Sequence, residues 1–570
     1  MQLLSRITKP LSIFVILAII GLSYRGLAPQ FSPTLNSDFA VHILMTHDLQ
    51  LPDDLYYWGQ DRLGSLVPIL SHFALKMIPL APVKMVGIMT YVMALVAYLC
   101  FASFLREAAS WVLLAAAWFL PLRLYVEFLE VGPPYAAQFA CLGLATVGMR
   151  WLLYRGSLGS SWQRHLVITL TMFSMTASLW VSTFSIIYLM AVLGAIAHHL
   201  WFRLSAHQRR AVYAWSIADG ITVGIAGALG FGFLQLAKAS AANSYDYLKF
   251  NTLAQFWDYT SRMGQSFGRN LRFEGLGLWF SIAAWLMSGI VLYALYLLYR
   301  HRRAILRPAP SQMAMVDAAN GAPNDAADDE QAIAQTPSKT QRPSPSYPIA
   351  SPLQPLPMPP QLWLGSWGLT NGLGMIALLL AHWVYQPDHI PQRYFVVIYV
   401  LGWLTILFLG EQVPKRSRLI LWGLLLPLTI ANIMSLPPRA FANQHRPRIE
   451  QLAELQSLAP ASFIGDYWHS YILCSADPDL FHCTPYDGRG KIRCPKGAGQ
   501  PYRFQYQIGS VVRCQRCVEA VLNSPAIYLV QQRWFKRFPK RIEQFGYCLE
   551  RSGKPFEVAG HKMAPYRKLE

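Results

Sequence analysis

Apolar segments long enough to cross a bilayer recur between residues 11 and 436 of this chain. A membrane-spanning helix needs about 20 predominantly apolar residues, and helices satisfy their own backbone hydrogen bonds in hydrocarbon. Only 14% of the 570 residues are charged, against roughly 25% in a soluble domain. The sequence therefore predicts a polytopic α-helical membrane protein.

Lysine and arginine groups fall on alternate connections between these segments. Placing all of these groups in the cytoplasm gives one threading with about eleven transmembrane helices. The predicted spans are residues 11–28, 83–105, 108–122, 135–154, 166–180, 183–202, 212–236, 276–299, 361–383, 394–411 and 419–436. The first span follows a basic start and is predicted to be a retained signal anchor. A break near residues 180–183 is required, because a single span there would reverse every later loop.

The formal net charge of +19 comes from basic residues at the ends of apolar segments and in the C-terminal tail. This distribution is typical of the positive-inside rule and of contact with anionic lipids. We therefore expect membrane lipids, and no nucleic acid, among the partners.

Four regions differ in composition. Residues 1–303 form an N-terminal membrane block with a first outer loop at 29–82, and residues 361–436 supply the C-terminal membrane helices. Residues 304–360 are rich in Pro, Ala, Ser and Asp, which predicts a disordered cytoplasmic linker because such a composition buries too little apolar surface to fold. Residues 437–570 contain helical spacing and strand patterns such as FIGDYW and AIYLVQQ, which predict a small extracytoplasmic α+β domain.

Six of the eight cysteines fall in the C-terminal region. They are Cys474, Cys483, Cys494, Cys514, Cys517 and Cys548. Outside the cytoplasm this even number indicates up to three disulfides, with several pairings open. The alternatives are a zinc site that uses Cys514-x-x-Cys517, or a redox site at the same pair.

Acidic residues in the outer loops are the candidate catalytic groups. Asp38 follows closely after the first span, where partial desolvation can turn a carboxylate into a useful general base. The alternative is that Ser37 or Asp38 caps a helix through AVHILMTH. In the second outer loop, Glu127 and Glu130 either share the cavity with Asp38, Glu130 being preferred, or belong to a solvated turn.

The run YYWGQDRLGS at 56–65 is the densest polar and aromatic stretch of the first outer loop. Aromatic faces beside amides and carboxylates suit carbohydrate binding, since the rings cover C–H surface while polar groups meet hydroxyls. The candidate sugar- or acceptor-binding residues are Tyr57, Trp58, Gln60 and Asp61, together with His389 and Tyr394 before a late span. The alternative is an interfacial aromatic belt with a turn at the glycines.

Several arginines are predicted to lie outside, where basic residues near span ends are depleted. They are Arg62, Arg262, Arg269, Arg272 and Arg393. Because guanidinium groups bind phosphate oxygens in bidentate fashion, this set is the candidate site for the phosphate of a donor. The alternative is contact with lipid headgroups.

Three motifs occur in a characteristic order: Asp38 after the first span, YWGQDRLGSL before the second, and RYF at the start of a late span. Over most of residues 1–436 this pattern resembles the GT-C superfamily of integral-membrane glycosyltransferases. The nearest branch is similar to bacterial protein O-mannosyltransferases and aminoarabinose transferases. The segment GDYWHSYILC also resembles a stretch that follows the last span in bacterial relatives.

The resemblance implies a polyprenyl-phosphate-linked sugar as donor and a glycan, lipid or protein as acceptor. It implies inverting transfer on the outer face of the bacterial plasma membrane, with Asp38 as the base that activates the acceptor hydroxyl. The family often shows adjacent acidic residues in the first loop, whereas Phe39 follows Asp38. The sequence therefore leaves a divalent metal as a weakly supported alternative. It firmly implies no cofactor, and no residue is assigned as a metal ligand.

Two other classes of protein remain as alternatives. A transporter or flippase of lipid-linked sugars should show paired halves with Gly- and Pro-broken spans, whereas the polar residues here gather in outer loops. A non-catalytic anchor for the cysteine-rich domain would need far fewer than about eleven spans and would leave the outer arginines without a role.

Overall fold

The chain is described by a computed structural model. It covers residues 2–32, 35–58, 60–130, 134–155, 160–203, 217–241, 249–306, 360–384, 392–436, 446–487, 494, 514–531 and 537–569. Within these residues, a helical membrane block is followed by a mixed β-sheet domain.

Every predicted span overlaps a helix. In chain order, the helices of the membrane block are α1 (Gln2–Leu27), α2 (Ser37–His47), α3 (Leu66–Met77), α4 (Pro82–Ala102), α5 (Ala108–Phe119), α6 (Glu127–Glu130), α7 (Tyr135–Arg155), α8 (Ser161–Val181), α9 (Ser185–His198), α10 (Ile217–Ala239), α11 (Leu253–Leu271), α12 (Leu278–Leu306), α13 (Pro360–Leu380), α14 (Val396–Gln412) and α15 (Lys415–Ser435). Helices α2, α3, α6 and α11 lie in the predicted outer loops.

Eight helices in the described part of the chain are long and apolar enough to cross a membrane. They lie in α1, α4, α7, α10, α12, α13, α14 and α15. A ninth candidate is α5 taken together with Arg123–Leu129, with a bend of 73° between them. Helix α9 is apolar but short, and α8 carries Gln, Arg and several Ser and Thr residues. The polytopic helical architecture is therefore supported, but the prediction of about eleven spans is not confirmed.

The apolar stretch at 166–202 is divided into two helices, as the charge distribution requires. Helix α8 ends at Val181 and α9 begins at Ser185. The Ser185 hydroxyl donates to the carbonyl of Ser178 at 2.8 Å and accepts from Gln138 of α7 at 3.0 Å. These bonds satisfy polar groups at the break, which would otherwise be costly among apolar helices.

Large aromatic side chains fill the contacts between the membrane helices. Trp118, Trp363 and Trp367 are fully buried, and Phe104 meets Trp363 edge to face with ring centroids 4.8 Å apart. The indole of Trp367 donates to the hydroxyl of Tyr188 at 3.2 Å. Edge-to-face aromatic pairs contribute about 0.5–1.5 kcal/mol each beyond their buried area, so this packing holds the spans in register.

The C-terminal domain contains a seven-stranded mixed sheet. Its elements are α16 (Arg448–Gln451), β1 (Ala461–Gly465), α17 (Tyr467–Cys474), β2 (Phe481–Pro485), α18 (Gln515–Leu522), β3 (Ile527–Val530), β4 (Arg541–Gln544), β5 (Tyr547–Arg551), β6 (Phe556–Val558) and β7 (His561–Lys568). The strand order is β2-β1-β3-β7-β5-β4, with β6 paired to β7. Strand β1 is parallel to β2 and β3, and the other pairs are antiparallel. The predicted α+β class of this domain is confirmed.

One strand prediction in this domain is partly wrong. The pattern FIGDYW predicts a strand through Trp468, but β1 ends at Gly465 and α17 begins at Tyr467. The backbone N–H of Ser470 donates to the carbonyl of Asp466 at 2.9 Å, which begins the helix. Alternation of apolar residues cannot show where a strand gives way to a helix within two residues.

The prediction of disulfides in this domain is confirmed. The pairs are Cys474–Cys483, Cys494–Cys548 and Cys514–Cys517. All six cysteines are used, so none of them is left as a thiolate ligand for the alternative zinc site. The predicted linker at 304–360 lies outside the described residues except at its two ends.

Candidate active site

The carboxylate of Asp38 lies at the start of α2 but does not cap it. The cap is Asn36, whose Oδ1 accepts the backbone N–H of Phe39 at 2.9 Å. The alternative in which Ser37 or Asp38 caps the helix is therefore wrong. Because Asn36 satisfies the helix end, the Asp38 side chain is available for other contacts.

Two tyrosine hydroxyls converge on Asp38. Tyr57 donates to Oδ1 of Asp38 at 3.2 Å, and Tyr467 donates to the same oxygen. The two hydroxyls are themselves 2.8 Å apart. Burial raises the pKa of Tyr57 and of Tyr467 well above the ordinary value, and the charge of Asp38 adds to this effect. Both phenols therefore stay protonated and act as donors.

Tyr57 is held by a tight loop that packs against the end of α8. Tyr56 and Gly64 form an antiparallel bridge, and the N–H of Tyr57 donates to the carbonyl of Leu63 at 3.0 Å. The N–H of Gly64 donates to the carbonyl of Trp180 at 3.1 Å. A Cβ at Gly64 would lie 2.7 Å from the Trp180 ring, so the loop needs glycine at this position.

Glu127 is the second carboxyl of the site. It lies in the segment that follows the bend after α5, and this segment is not part of the eight helices that are long and apolar enough to cross a membrane. Burial raises the pKa of Glu127 to about 7, while Arg393 lowers it and Asp38 raises it. Among the described residues, its buried Oε2 has no hydrogen-bond partner. The sequence favoured Glu130, whose side chain lies outside the described residues. The periodicity of RLYVEFLE does not distinguish the two glutamates.

Arg393 and Arg62 bring positive charge to the same region. Arg393 interacts electrostatically with both Asp38 and Glu127, and its Nη2 donates to the hydroxyl of Tyr394 at 3.3 Å. Arg62 donates from Nε to Oε1 of Gln60 at 3.2 Å. The structure thus gathers one carboxylate, one carboxyl of raised pKa and two guanidinium groups from three distant parts of the chain.

A half-buried tyrosine at the start of α7 lies among these charges. The side chain of Tyr135 interacts electrostatically with Glu127, Arg393 and Arg62. Its hydroxyl donates to the carbonyl of Arg393 at 3.4 Å. Tyr135 therefore links the start of α7 to the start of the late span.

Two of the predicted sugar-binding residues make contacts within or beside the first outer loop. Trp58 is 6% exposed, donates from Nε1 to Asp54 at 3.0 Å and packs on Tyr471 with ring centroids 5.8 Å apart. Asp61 forms a salt bridge with Lys238 at 3.0 Å. These contacts help to hold the loop, and Oδ1 of Asp61 is buried without a hydrogen-bond partner among the described residues. The role of Trp58 and Asp61 in sugar binding stays a prediction.

The remaining predicted residues are placed as follows. His389 lies outside the described residues. Arg262 pairs with Asp258 at 2.6 Å and Arg272 with Glu274 at 3.6 Å, while Arg269 is exposed on α11. The role of these three arginines in donor binding stays a prediction. Within the described residues, no group of three or more His, Cys, Asp or Glu side chains could hold a metal ion.

Sequence reasoning did not select two residues that the structure brings to this region. Tyr467 contacts Asp38, and Arg516 pairs with Asp48 and Asp54 of the first outer loop. The resemblance of the segment GDYWHSYILC to a stretch in bacterial relatives could have indicated Tyr467. No local pattern distinguishes Arg516 from the other basic residues of the tail.

Comparison with known proteins adds little to this description. No family model matches the chain, and no curated protein matches it. One solved structure with some likeness is the apo form of the oligosaccharyltransferase of Archaeoglobus fulgidus, with 11% identity and a TM-score of 0.37. The match covers 83% of this chain and 64% of that one, so the chain spans less than two thirds of its length. At this TM-score the likeness establishes no family.

Proposed function

We propose that this protein is a membrane glycosyltransferase that moves a sugar from a polyprenyl-phosphate donor to an acceptor hydroxyl outside the plasma membrane. The observation that supports this proposal best is the group formed by Asp38, Glu127, Arg393 and Arg62. A base, an acid and cations are the groups that glycosyl transfer from a phosphate requires. They meet in segments predicted to lie outside the membrane, beside the starts of α7 and α14.

In the proposed reaction, Asp38 takes the proton of the acceptor hydroxyl. The acceptor oxygen then forms a bond to the anomeric carbon, while the bond from that carbon to the phosphate oxygen breaks. The electron pair of the broken bond goes to the phosphate. Attack opposite to the leaving phosphate inverts the configuration at the anomeric carbon.

The cations would act on the leaving group. Arg393 and Arg62 would neutralise the charge that develops on the lipid phosphate, since guanidinium groups form strong charge-assisted bonds to phosphate oxygens. Glu127, with a pKa near neutral, can hold a proton at the same place and so limit the negative charge of the site. The apolar surfaces of the neighbouring spans suit the polyprenyl chain.

The test uses the purified protein in lipid nanodiscs with labelled polyprenyl-phosphate sugars and a mixture of acceptor hydroxyl compounds. We expect labelled product with the wild type and at least a hundredfold loss with Asp38→Asn, in line with the usual contribution of a general base. The matched control is Asp53→Asn, because Asp53 is an exposed carboxylate of the same loop. Full transfer by Asp38→Asn would remove Asp38 from the mechanism.

A second outcome separates the enzyme from the transporter alternative. If the wild type binds the donor and moves it across a vesicle membrane without breaking the sugar–phosphate bond, the transferase proposal fails. Inversion is checked by NMR analysis of the anomeric centre in the product.

A further inference from the structure

We infer that Tyr467 is a positioning residue for Asp38, so that the C-terminal domain completes the active site of the membrane block. This inference rests on the proposed function, in which Asp38 is the base. Tyr467 is 429 positions from Asp38 along the chain, and its hydroxyl donates to Oδ1 of that carboxylate. The extracytoplasmic domain therefore reaches the membrane block at the group that would take the proton.

Both hydrogen bonds to the Asp38 carboxylate are made to one of its two oxygens. Tyr57 and Tyr467 both donate to Oδ1, and a 2.8 Å contact joins their hydroxyls. In the part of the chain that the structure describes, no hydrogen bond is made to Oδ2 of Asp38. Two donors on one oxygen restrict rotation of the carboxylate, and this leaves Oδ2 for the acceptor hydroxyl.

Tyr467 is itself fixed to the same loop through its backbone. Ser37 directly precedes Asp38 in the chain, and its hydroxyl donates to the carbonyl of Tyr467 at 2.7 Å. The Tyr467 ring also meets Tyr471 edge to face at 6.0 Å. Backbone and ring contacts thus place the phenol independently of its hydroxyl, so removal of the hydroxyl should leave the fold of α17 unchanged.

A positioning role predicts a specific kinetic effect. Tyr467→Phe keeps the ring and the Ser37 contact but removes the donor to Asp38. We expect kcat for transfer to fall about 10- to 100-fold, which corresponds to the usual value of a hydrogen bond to a charged group, while KM for donor and acceptor stays within about twofold. A change in kcat alone indicates that the base, rather than substrate binding, is affected.

Two further variants sharpen the comparison. Tyr528→Phe is the matched control, because it removes a hydroxyl from β3 of the same domain, where the ring packs on Phe463 and Phe556; we expect unchanged kcat. Tyr57→Phe removes the second donor to Oδ1. The double variant of Tyr57 and Tyr467 should lose less than the product of the two single losses, because both hydroxyls act on one oxygen.

Wild-type kcat in folded Tyr467→Phe overturns the inference, as does a loss that lies entirely in the acceptor KM. Failure of Tyr467→Phe to fold also overturns it, because the hydroxyl would then serve the fold of the domain rather than the position of Asp38. The Asp38→Asn variant separates this failure from failure of the proposed function. If Asp38→Asn is active, Asp38 is not the base and the proposed mechanism fails. If Asp38→Asn is inactive and Tyr467→Phe is fully active, only the positioning role of Tyr467 is rejected, and Asp38 remains the proposed base.

Discussion

The guanidinium of Arg516 donates to the carboxylate of Asp54 at 2.6 Å and so joins the C-terminal domain to the first outer loop. Its Nε also donates to Asp48 at 2.9 Å. Asp54 accepts the indole N–H of Trp58 as well, and Trp58 directly follows Tyr57, a donor to Asp38. The Arg516 contact therefore fixes the domain against the segment that shapes the site.

Arg516→Ala should loosen this attachment. Asp54 is 2% exposed, and removal of one partner of a buried ion pair leaves a charge uncompensated at a cost of about 3 kcal/mol. We expect a lower unfolding temperature and reduced transfer, measured by thermal unfolding in nanodiscs and by the labelled-sugar reaction. The control is Arg567→Ala, since Arg567 is 69% exposed in its pair with Glu550 and an exposed pair contributes little to stability. Equal effects of the two variants would contradict a specific role for Arg516.

Gly64→Ala should destabilise the loop that carries Tyr57. The added methyl would lie 2.7 Å from the Trp180 ring, and overpacking of this kind costs about 1–3 kcal/mol. Thermal unfolding should show the loss, with a fall in transfer because Tyr57 shifts. Gly264→Ala is the control, because nothing lies within 4 Å of its Cβ position in α11 and alanine is the better helix former. A Gly64→Ala protein as stable as the wild type would show that Trp180 can move aside.

Glu127→Gln should change how stability depends on pH. Burial raises the pKa of Glu127 to about 7, so the folded protein holds a proton that an unfolded carboxyl, with a pKa near 4.3, has lost. The group therefore costs little stability below about pH 4. Its cost grows as pH rises from about 4.3 to about 7 and then levels off, at up to about 4 kcal/mol. We expect Glu127→Gln to be more stable than the wild type at pH 8.5 and equal to it at pH 4.

The pH series has an exposed glutamate as its control. Glu274 is 61% exposed in its side chain, so Glu274→Gln should follow the wild-type curve at every pH. Thermal unfolding of the three proteins between pH 4 and 8.5 gives the comparison. A wild-type curve that does not separate from Glu127→Gln above pH 7 would mean that water or a counter-charge reaches the carboxyl.

In the proposed function Arg393 contacts the lipid phosphate, so Arg393→Ala should weaken donor binding. The expected rise in the donor Kd is about 10- to 100-fold, with partial recovery in Arg393→Lys, which keeps the charge but lacks the planar fork. Arg123→Ala, which removes an exposed arginine of the second outer loop, should bind normally. Binding is measured with a labelled polyprenyl phosphate, and an unchanged Kd would return Arg393 to a structural role.

Local patterns in the sequence were sufficient for much of the architecture. The positions of the membrane helices follow from runs of apolar residues, and the break before Ser185 follows from the alternation of basic loops. The α+β class of the C-terminal domain and its disulfide bonding follow from periodicity and from the even number of cysteines. In each case the prediction depends on a few neighbouring residues or on the number of residues of one type.

Only the tertiary structure decided which of these residues meet. Asp38 and Tyr467, Asp54 and Arg516, and Asp61 and Lys238 are each joined across long stretches of chain, and no periodicity reaches over such distances. The same limit applies to the placement of Glu127 near Arg393 and to the pairing of the cysteines. Composition and spacing determine which segments become helices or strands, whereas the partners of a charge or a hydroxyl depend on how those helices and strands pack.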